Sequence, residues 1–353
     1  MTGTISGIST RILRVPLSRP WGDDVRDLGV VEVRITRDDG AVGHGFSWTP
    51  SIGATAVDAL LRDDLAPWLL GRTTEPSRWT DGWEHVHEAG GGGVTTIALA
   101  GIDLALWDLE LRARGIALTD ALGRRHESQP AYGSGVNLHY SLGDLVAQAG
   151  RWRDAGYRGV KIKVGKPDIA EDVDRVAAVR DTIGPDLRLM VDANQRWNLA
   201  RAETAVAALS RFGLEWVEEP LRSDDTRGYR SLASAIDVPV ALGENVHTIH
   251  RFRDLVDAGV IDVLQPNIVR VGGITPFLMI ATLAREAGLT LAPHLLPELS
   301  ARLALAMPET TWVEDVEDAG FGALGALAEP SGVTIVDGRA SGGHDPGIGI
   351  RFR

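Results

Sequence analysis

Residues 159–165 read Gly-Val-Lys-Ile-Lys-Val-Gly, GVKIKVG. Val160, Ile162 and Val164 mark a short β-strand closed off by glycines. Side chains two apart on a strand share a face, so Lys161 and Lys163 point together, away from the three apolar residues. A parallel strand buried on both faces is apolar throughout. Two ammonium groups on an inward face therefore require negative partners there, and the rest of the chain has to provide them.

Around this strand, short apolar runs alternate with amphipathic helical stretches. The runs are 132–137, 159–164, 187–191, 216–217, 240–242, 263–265, 289–292 and 311–313. Between two of them, Ile169, Val173, Val176, Val179 and Ile183 form one helical stripe that stops at Gly184-Pro185. Alternating β and α units predict a parallel sheet, and eight such strands predict a closed barrel. The open doubly wound sheet is the alternative, but no G-x-G-x-x-G follows any of these strands.

The flanks read differently. Upstream, runs at 8–15, 30–36 and 42–46 read as strands, the last two joined by the turn Arg37-Asp38-Asp39-Gly40, and helical patterns follow at 56–70 and 95–112. The fold expected is α/β, a modified (β/α)8 TIM barrel with an α+β capping domain. We expect the capping domain over residues 1–125 and the barrel over 126–325. Residues 326–353, with a strand at 333–336, are expected to pack back on the capping domain.

Bulk properties exclude several classes. The chain has 353 residues, a net charge of −12 and no cysteine. An acidic chain repels polyanions, so no nucleic-acid partner is expected. Without cysteine there are no disulfides and no thiolate metal sites. No apolar run is long enough to span a membrane, and the opening MTGTISGIST lacks the pattern of a secretory signal, so a cytoplasmic location is expected.

Polar residues close the predicted strands. In order they are Lys161 and Lys163, Asp192 and Asn194 (VDAN), Glu218 and Glu219 (WVEEP), Glu244 (GEN), Asn267 (QPN), His294 (APH) and Glu314 (WVE). Successive groups are separated by about one βα unit, roughly 30 residues or fewer. In a barrel, all of them reach the C-terminal rim, where such folds keep their active sites. Asp192, Glu218 and Glu244 on adjacent strands would repel one another unless a cation lies among them, and all-oxygen ligation suits a hard ion such as Mg2+. Two ammonium groups beside a dication are expected to lower each other's pKa, which suits a general base near neutral pH. Each residue alone has a plainer reading: a solvated K-x-K strand, a helix-capping acid, a core histidine. The shared rim is what gives the set its weight.

The motifs KIKVG, LMVDANQ, WVEEP, GEN, QPN-x2-RVGGIT, APH and WVE together resemble the enolase superfamily, most closely its mandelate racemase-like branch with the acid-sugar dehydratases. The resemblance spans essentially the whole chain. It implies abstraction of the proton α to a carboxylate, with the enediolate stabilised by one Mg2+ per active site. Matched position by position, it makes Asp192, Glu218 and Glu244 the metal ligands and Lys163 the base on one face of the substrate. Lys161 would contact the substrate carboxylate, and His294 would be the acid/base on the opposite face. Glu314 would be a protonated hydrogen-bond donor to the carboxylate, and Asn194 would lie near the α-hydroxyl. It also implies a homo-oligomer and a small-molecule carboxylate as the partner. One position departs from the pattern: the strand-six aspartate that pairs with the histidine is Asn267. An amide orients an imidazole without adding charge, which fits a dehydratase of an aldonic or aldaric sugar acid better than a two-base racemase or epimerase. Lactone cycloisomerisation is a further alternative.

Specificity is expected from the capping-domain loops at 20–24 and 47–49, with Trp21, Trp48, Ser134 and Asn137 as substrate-binding candidates and Arg26 as a partner for a distal carboxylate. The run His85-Val86-His87-Glu88 has the wrong spacing for a zinc helix, and Gly90 to Gly93 lacks the lysine of a phosphate loop.

Overall fold

A computed structural model of the chain describes residues 3–22, 24–76 and 78–353. Three antiparallel strands come first: β1 (Ile5–Trp21), β2 (Val25–Arg37) and β3 (Val42–Thr49), adjacent in that order. The β2–β3 turn closes through Arg37 N–H to Ala41 O at 2.8 Å, with Gly40 at φ +87°. β1 and β2 run beyond their apolar cores because the outer sheet face alternates with exposed polar residues, which a search for apolar runs does not register. Of the 20–24 loop, Asp23 lies outside the described residues.

Helices cover the inner face of this sheet. α1 (Ala54–Ala59), a π-helical segment (Leu60–Leu65) and α2 (Ala66–Leu69) follow one another as a single run. Next come α3 (Arg78–His85), the long α4 (Val94–Arg114) and α5 (Leu118–Ala121). α4 lies directly on β3. A Cβ at Gly43 or Gly45 would fall 2.1 and 2.2 Å from the carbonyl oxygens of Ala105 and Gly101, so the pattern Val42-Gly43-His44-Gly45 is set by how closely the helix approaches.

Eight parallel strands form the barrel: β4 (Ser128–Ser134), β5 (Gly159–Lys163), β6 (Arg188–Asp192), β7 (Leu214–Glu218), β8 (Val240–Leu242), β9 (Val263–Leu264), β10 (Thr290–Leu291) and β11 (Val313–Val316). They pair in sequence, β11 pairs back to β4, and Trp312 N–H to Leu291 O at 3.3 Å bridges the last gap. The helices between them are α6 (Leu142–Asp154), α7 (Ile169–Ile183), α8 (Leu199–Leu209), α9 (Thr226–Ala233), α10 (Ile249–Asp257), α11 (Ile274–Glu286) and α12 (Pro297–Ala304). Ser141, Asp168, Asn198, Asp225 and Thr248 cap five of these at their N-termini.

After β11 the chain forms a hairpin instead of a helix-and-strand unit. β12 (Val333–Val336) and β13 (Arg339–Gly342) pair antiparallel, and β13 extends the sheet at the first residues of β4. The tail then reaches the capping domain: Gly347 bridges Ala117, and Phe352 packs edge-on against Phe46 at 5.4 Å. The fully buried Arg302 on α12 donates to the carbonyls of Ser331, Gly343 and Asp345.

The barrel floor is a cluster of buried side chains: Tyr132, Met190, Trp216, Ala241, Val263, Ala292 and Trp312. They come from every barrel strand, or a residue flanking it, except β5. At that level β5 presents Lys161, the register partner of Met190.

Candidate active site

Lys163, Asp192 and Glu218 are consecutive partners across β5, β6 and β7, which brings them to one height at the strand ends. Asp192, Glu218 and Glu244 are all buried, and each offers an oxygen within 4.8 Å of the other two. Three carboxylates this close, with oxygen donors only, suit a hard divalent ion. Lys163 Nζ bonds Asp192 Oδ2. Lys161 Nζ lies 2.8 Å from both oxygens of Glu218 and 2.8 Å from Glu314 Oε1.

A cavity of about 180 Å³ opens above this floor, between barrel and capping domain. Lys163, Asn194, Glu244, His294 and Glu314 line it from the strand ends, with Ser134 beside them; Trp21 and Trp48 close it from the capping domain. These eight expected residues are brought together. β5 and β10 lie on different sides of the ring, with the acidic strands β6 to β8 between them, so Lys163 and His294 flank the cavity.

Several expectations need correction. Asn137 does not line the cavity. β4 ends at Ser134, and three residues on Asn137 is fully buried, accepting from Lys163 N–H at 2.9 Å and donating to Gln148 at 2.9 Å. Lys161 lies beneath the cavity, its donors taken by Glu218 and Glu314, and makes no part of the wall. Arg26 is exposed and away from it; the arginine at the wall is Arg270.

The charges also depart from expectation. Burial alone would depress both lysines, but Glu218 and Glu314 around Lys161, and Asp192 beside Lys163, outweigh it and push both upward. The acids decide the direction, not the mutual repulsion of the ammonium groups. Burial would raise Glu314, yet Lys161 holds it at about 2, so it is a carboxylate here and not a protonated donor. Burial pushes Glu218 up to about 8 despite Lys161. Burial works against ionisation of Glu244 too, but the hydrogen bond from His294 Nε2 and the Lys163 charge bring it well below the usual range.

Asn267 is buried behind His294. Its Oδ1 accepts from the backbone N–H groups of Val269 and Arg270, both at 3.1 Å. The amide is thereby fixed with its NH2 toward the imidazole, 3.0 Å from His294 Nδ1. A nitrogen facing an NH2 group must accept, so Nδ1 is bare and the ring proton sits on Nε2, which lies 2.7 Å from Glu244 Oε2.

The sequence reading names Glu219 among the strand-end acids but not the supporting layer it belongs to. Glu219, with φ +41°, is buried and bonded by Gln195 and Asn245; burial and then Glu244 push its carboxyl well up. Asn245 also donates to Glu244, and Arg270 bonds Asn245 Oδ1 and the Glu244 carbonyl. The doubled acids in WVEEP and the asparagine in GEN were the signal for this layer.

Residues 12–123 match the mandelate racemase / muconate lactonizing enzyme N-terminal domain, and residues 144–353 match the enolase C-terminal domain-like family. The chain belongs to the enolase superfamily. Within it, the chain is 36% identical to 3,6-anhydro-alpha-L-galactonate cycloisomerase of Streptomyces coelicolor, over 98% of this chain and 96% of that protein. The solved structure of a racemase from Streptomyces coelicolor with bound magnesium superposes with a TM-score of 0.92 at 34% identity, covering 99% of this chain and 97% of that one. L-Talarate dehydratase from Polaromonas sp. JS666, solved with Mg and L-glucarate, gives a TM-score of 0.87 at 35% identity, covering 99% and 95%. This superfamily member carries a buried acidic triad that could hold a metal ion, and these two relatives were solved with magnesium.

Proposed function

We propose that this chain is a Mg2+-dependent lyase that removes the α-proton of a sugar acid and expels the β-oxygen, with dehydration as the reaction. The observation that carries this reading is the pairing of Asn267 with His294. A two-base racemase needs each group to accept in one direction and donate in the other, and here Asn267 keeps the proton on the nitrogen turned toward the cavity.

The chemistry follows from the side chains. Asp192, Glu218 and Glu244 would hold the ion, which supplies positive charge for the anion formed at the carboxylate and offsets the acids that keep Lys163 protonated. Lys163 Nζ takes the α-proton as the C2–H bond breaks. Those electrons form the C2–C3 double bond as C3–O breaks, and His294 Nε2 donates to the leaving oxygen from the other side. The enol then returns to a 2-keto-3-deoxy acid. Trp21, Trp48, Val136 and Leu295 reduce water in the cavity and so strengthen these charge interactions.

A second reading keeps the same steps with a ring oxygen as the leaving group. Two indoles, Pro50, Val136 and Leu295 around about 180 Å³ suit a compact ring better than an extended polyol, and a relative is a cycloisomerase. Proton NMR of the Mg2+-loaded chain in D2O, with aldonic acids, aldaric acids, lactones and anhydro-sugar acids, tests both. A 2-keto-3-deoxy product from an open acid supports dehydration, and one from a cyclic acid alone supports ring opening. Deuterium at C2 with inverted configuration and no keto product would overturn both.

A further inference from the structure

The loop from β9 to α11, residues 265–273, carries Asn267 and Arg270 on its cavity side. Its other side is gripped by the capping domain. Asp103 on α4 accepts from Thr275 N–H at 3.0 Å and from Thr275 Oγ1 at 2.5 Å, and Trp107 Nε1 donates to the same hydroxyl at 3.0 Å. Gly272 and Gly273 have φ of +107° and +116°. A Cβ on Gly272 would lie 2.8 Å from Trp79 Nε1, and one on Gly273 would lie 2.3 Å from Asp103 Oδ2. The two glycines of RVGGIT are therefore where capping helices press on barrel backbone.

The loop transmits that grip. Gly273 N–H bonds Ile268 O at 2.8 Å and Val271 N–H bonds Asn267 O at 3.0 Å, so its two ends are tied together. At the inner end, Asn267 faces His294 Nδ1, and Arg270 bonds the Glu244 carbonyl and Asn245. Asp103 itself is fully buried and makes no ion pair among the described residues; burial pushes its carboxyl up to about 7. A buried carboxyl without a cation is unfavourable by itself, which argues that its bonds to Thr275 have a use.

We propose that Asp103, a capping-domain residue outside the cavity, is a positioning residue for the reaction: through Thr275 it sets the β9–α11 loop so that Asn267 orients His294 and Arg270 braces Glu244. The inference rests on hydrogen bonds and close approaches, and it holds whichever sugar acid is used.

The test pairs disruptive with conservative variants: Asp103→Ala and Thr275→Ala against Asp103→Asn and Thr275→Ser. Two readouts need no substrate. Histidine ¹⁵N NMR, with His294 assigned by loss of its signals in His294→Gln, reports which ring nitrogen is protonated. Calorimetric titration with Mg2+ alone reports the metal site. The alanine variants should move the His294 signals toward mixed protonation and weaken Mg2+ about tenfold, the size found for partners behind metal ligands. The conservative variants should restore both. If Asp103→Ala does not fold, Thr275→Ala decides alone. Unchanged His294 signals and Mg2+ affinity in a folded Thr275→Ala protein would overturn the proposal and leave Asp103 as a packing residue.

Discussion

The amide nitrogen of Asn267 stands 3.0 Å from His294 Nδ1, held there because Asn267 Oδ1 is already engaged by two backbone N–H groups. The contact makes Nε2 a donor. Asn267→Asp puts an acceptor opposite Nδ1, so the ring can hold a proton there and Nε2 can alternate between donor and acceptor toward a substrate. Elimination should slow by about 10²-fold, within the range for losing a positioned proton donor. Deuterium should then enter C2 from the His294 face, read by NMR of recovered substrate. An elimination rate equal to that of the unaltered chain would remove this contact from the mechanism.

Lys163→Met keeps the length of the side chain and removes the base. Loss of α-proton exchange and of product formation by about 10²- to 10⁴-fold is expected, while Mg2+ still binds. Retained C2 exchange at the original rate would assign the base elsewhere.

Magnesium should stabilise the fold. Lys161 and Lys163 offset only part of the repulsion among three buried carboxylates within 4.8 Å, so the melting temperature should climb with Mg2+ and level off. At a hundred times the dissociation constant the gain is about 2.7 kcal/mol. Glu244→Gln should reduce the climb, and chelator should abolish it. A melting temperature indifferent to Mg2+ would count against the triad as its site.

Asp103 gives a pH signature to stability. Burial raises its carboxyl from the ordinary 3.8 to about 7, so between those values the folded chain holds a proton that the unfolded chain releases. Its contribution is therefore present at low pH and lost as pH rises through that window, by at most about 1.4 kcal/mol per unit. Melting curves of Asp103→Asn and the unaltered chain should draw apart between about pH 4 and 7 because the variant lacks this slope. Parallel curves would show that Asp103 stays ionised.

Much of the rim was legible because one rule, the polar residue ending each strand, maps spacing onto a single face. Lys163, Asp192 and Glu218 end β5, β6 and β7, Glu244 and His294 follow β8 and β10 by two and three residues, and Glu314 lies within β11, yet all six reach the same rim. The rule failed at Asn137, whose side chain turns back to bond Lys163 N–H and Gln148 instead of the cavity. It could not rank Lys161 below Lys163, since depth in the barrel depends on register with Met190. Arg270, Pro50, Val136 and Leu295 went unread because a cavity wall is made by loops from different strands, with no period in the chain. The hairpin of β12 and β13 was half legible: 333–336 reads as a strand, but Arg339–Gly342 has too little apolar character to do so. The directions of the lysine shifts were misjudged because the number of acids per ammonium group is a property of the assembled rim.

The packed floor of the barrel has a consequence for isotopes. Tyr132, Met190, Trp216 and Trp312 fill the interior at the level of Lys161, beneath Lys163, and Lys161 Nζ is itself engaged by two acids. Among the described residues, a hydron taken by Lys163 thus exits through the substrate cavity. With substrate in place that exit is blocked, and the hydron removed from C2 is the one nearest to hand when C3 is reprotonated. Label carried by the substrate at C2 should partly reappear at C3 of the product in unlabelled water.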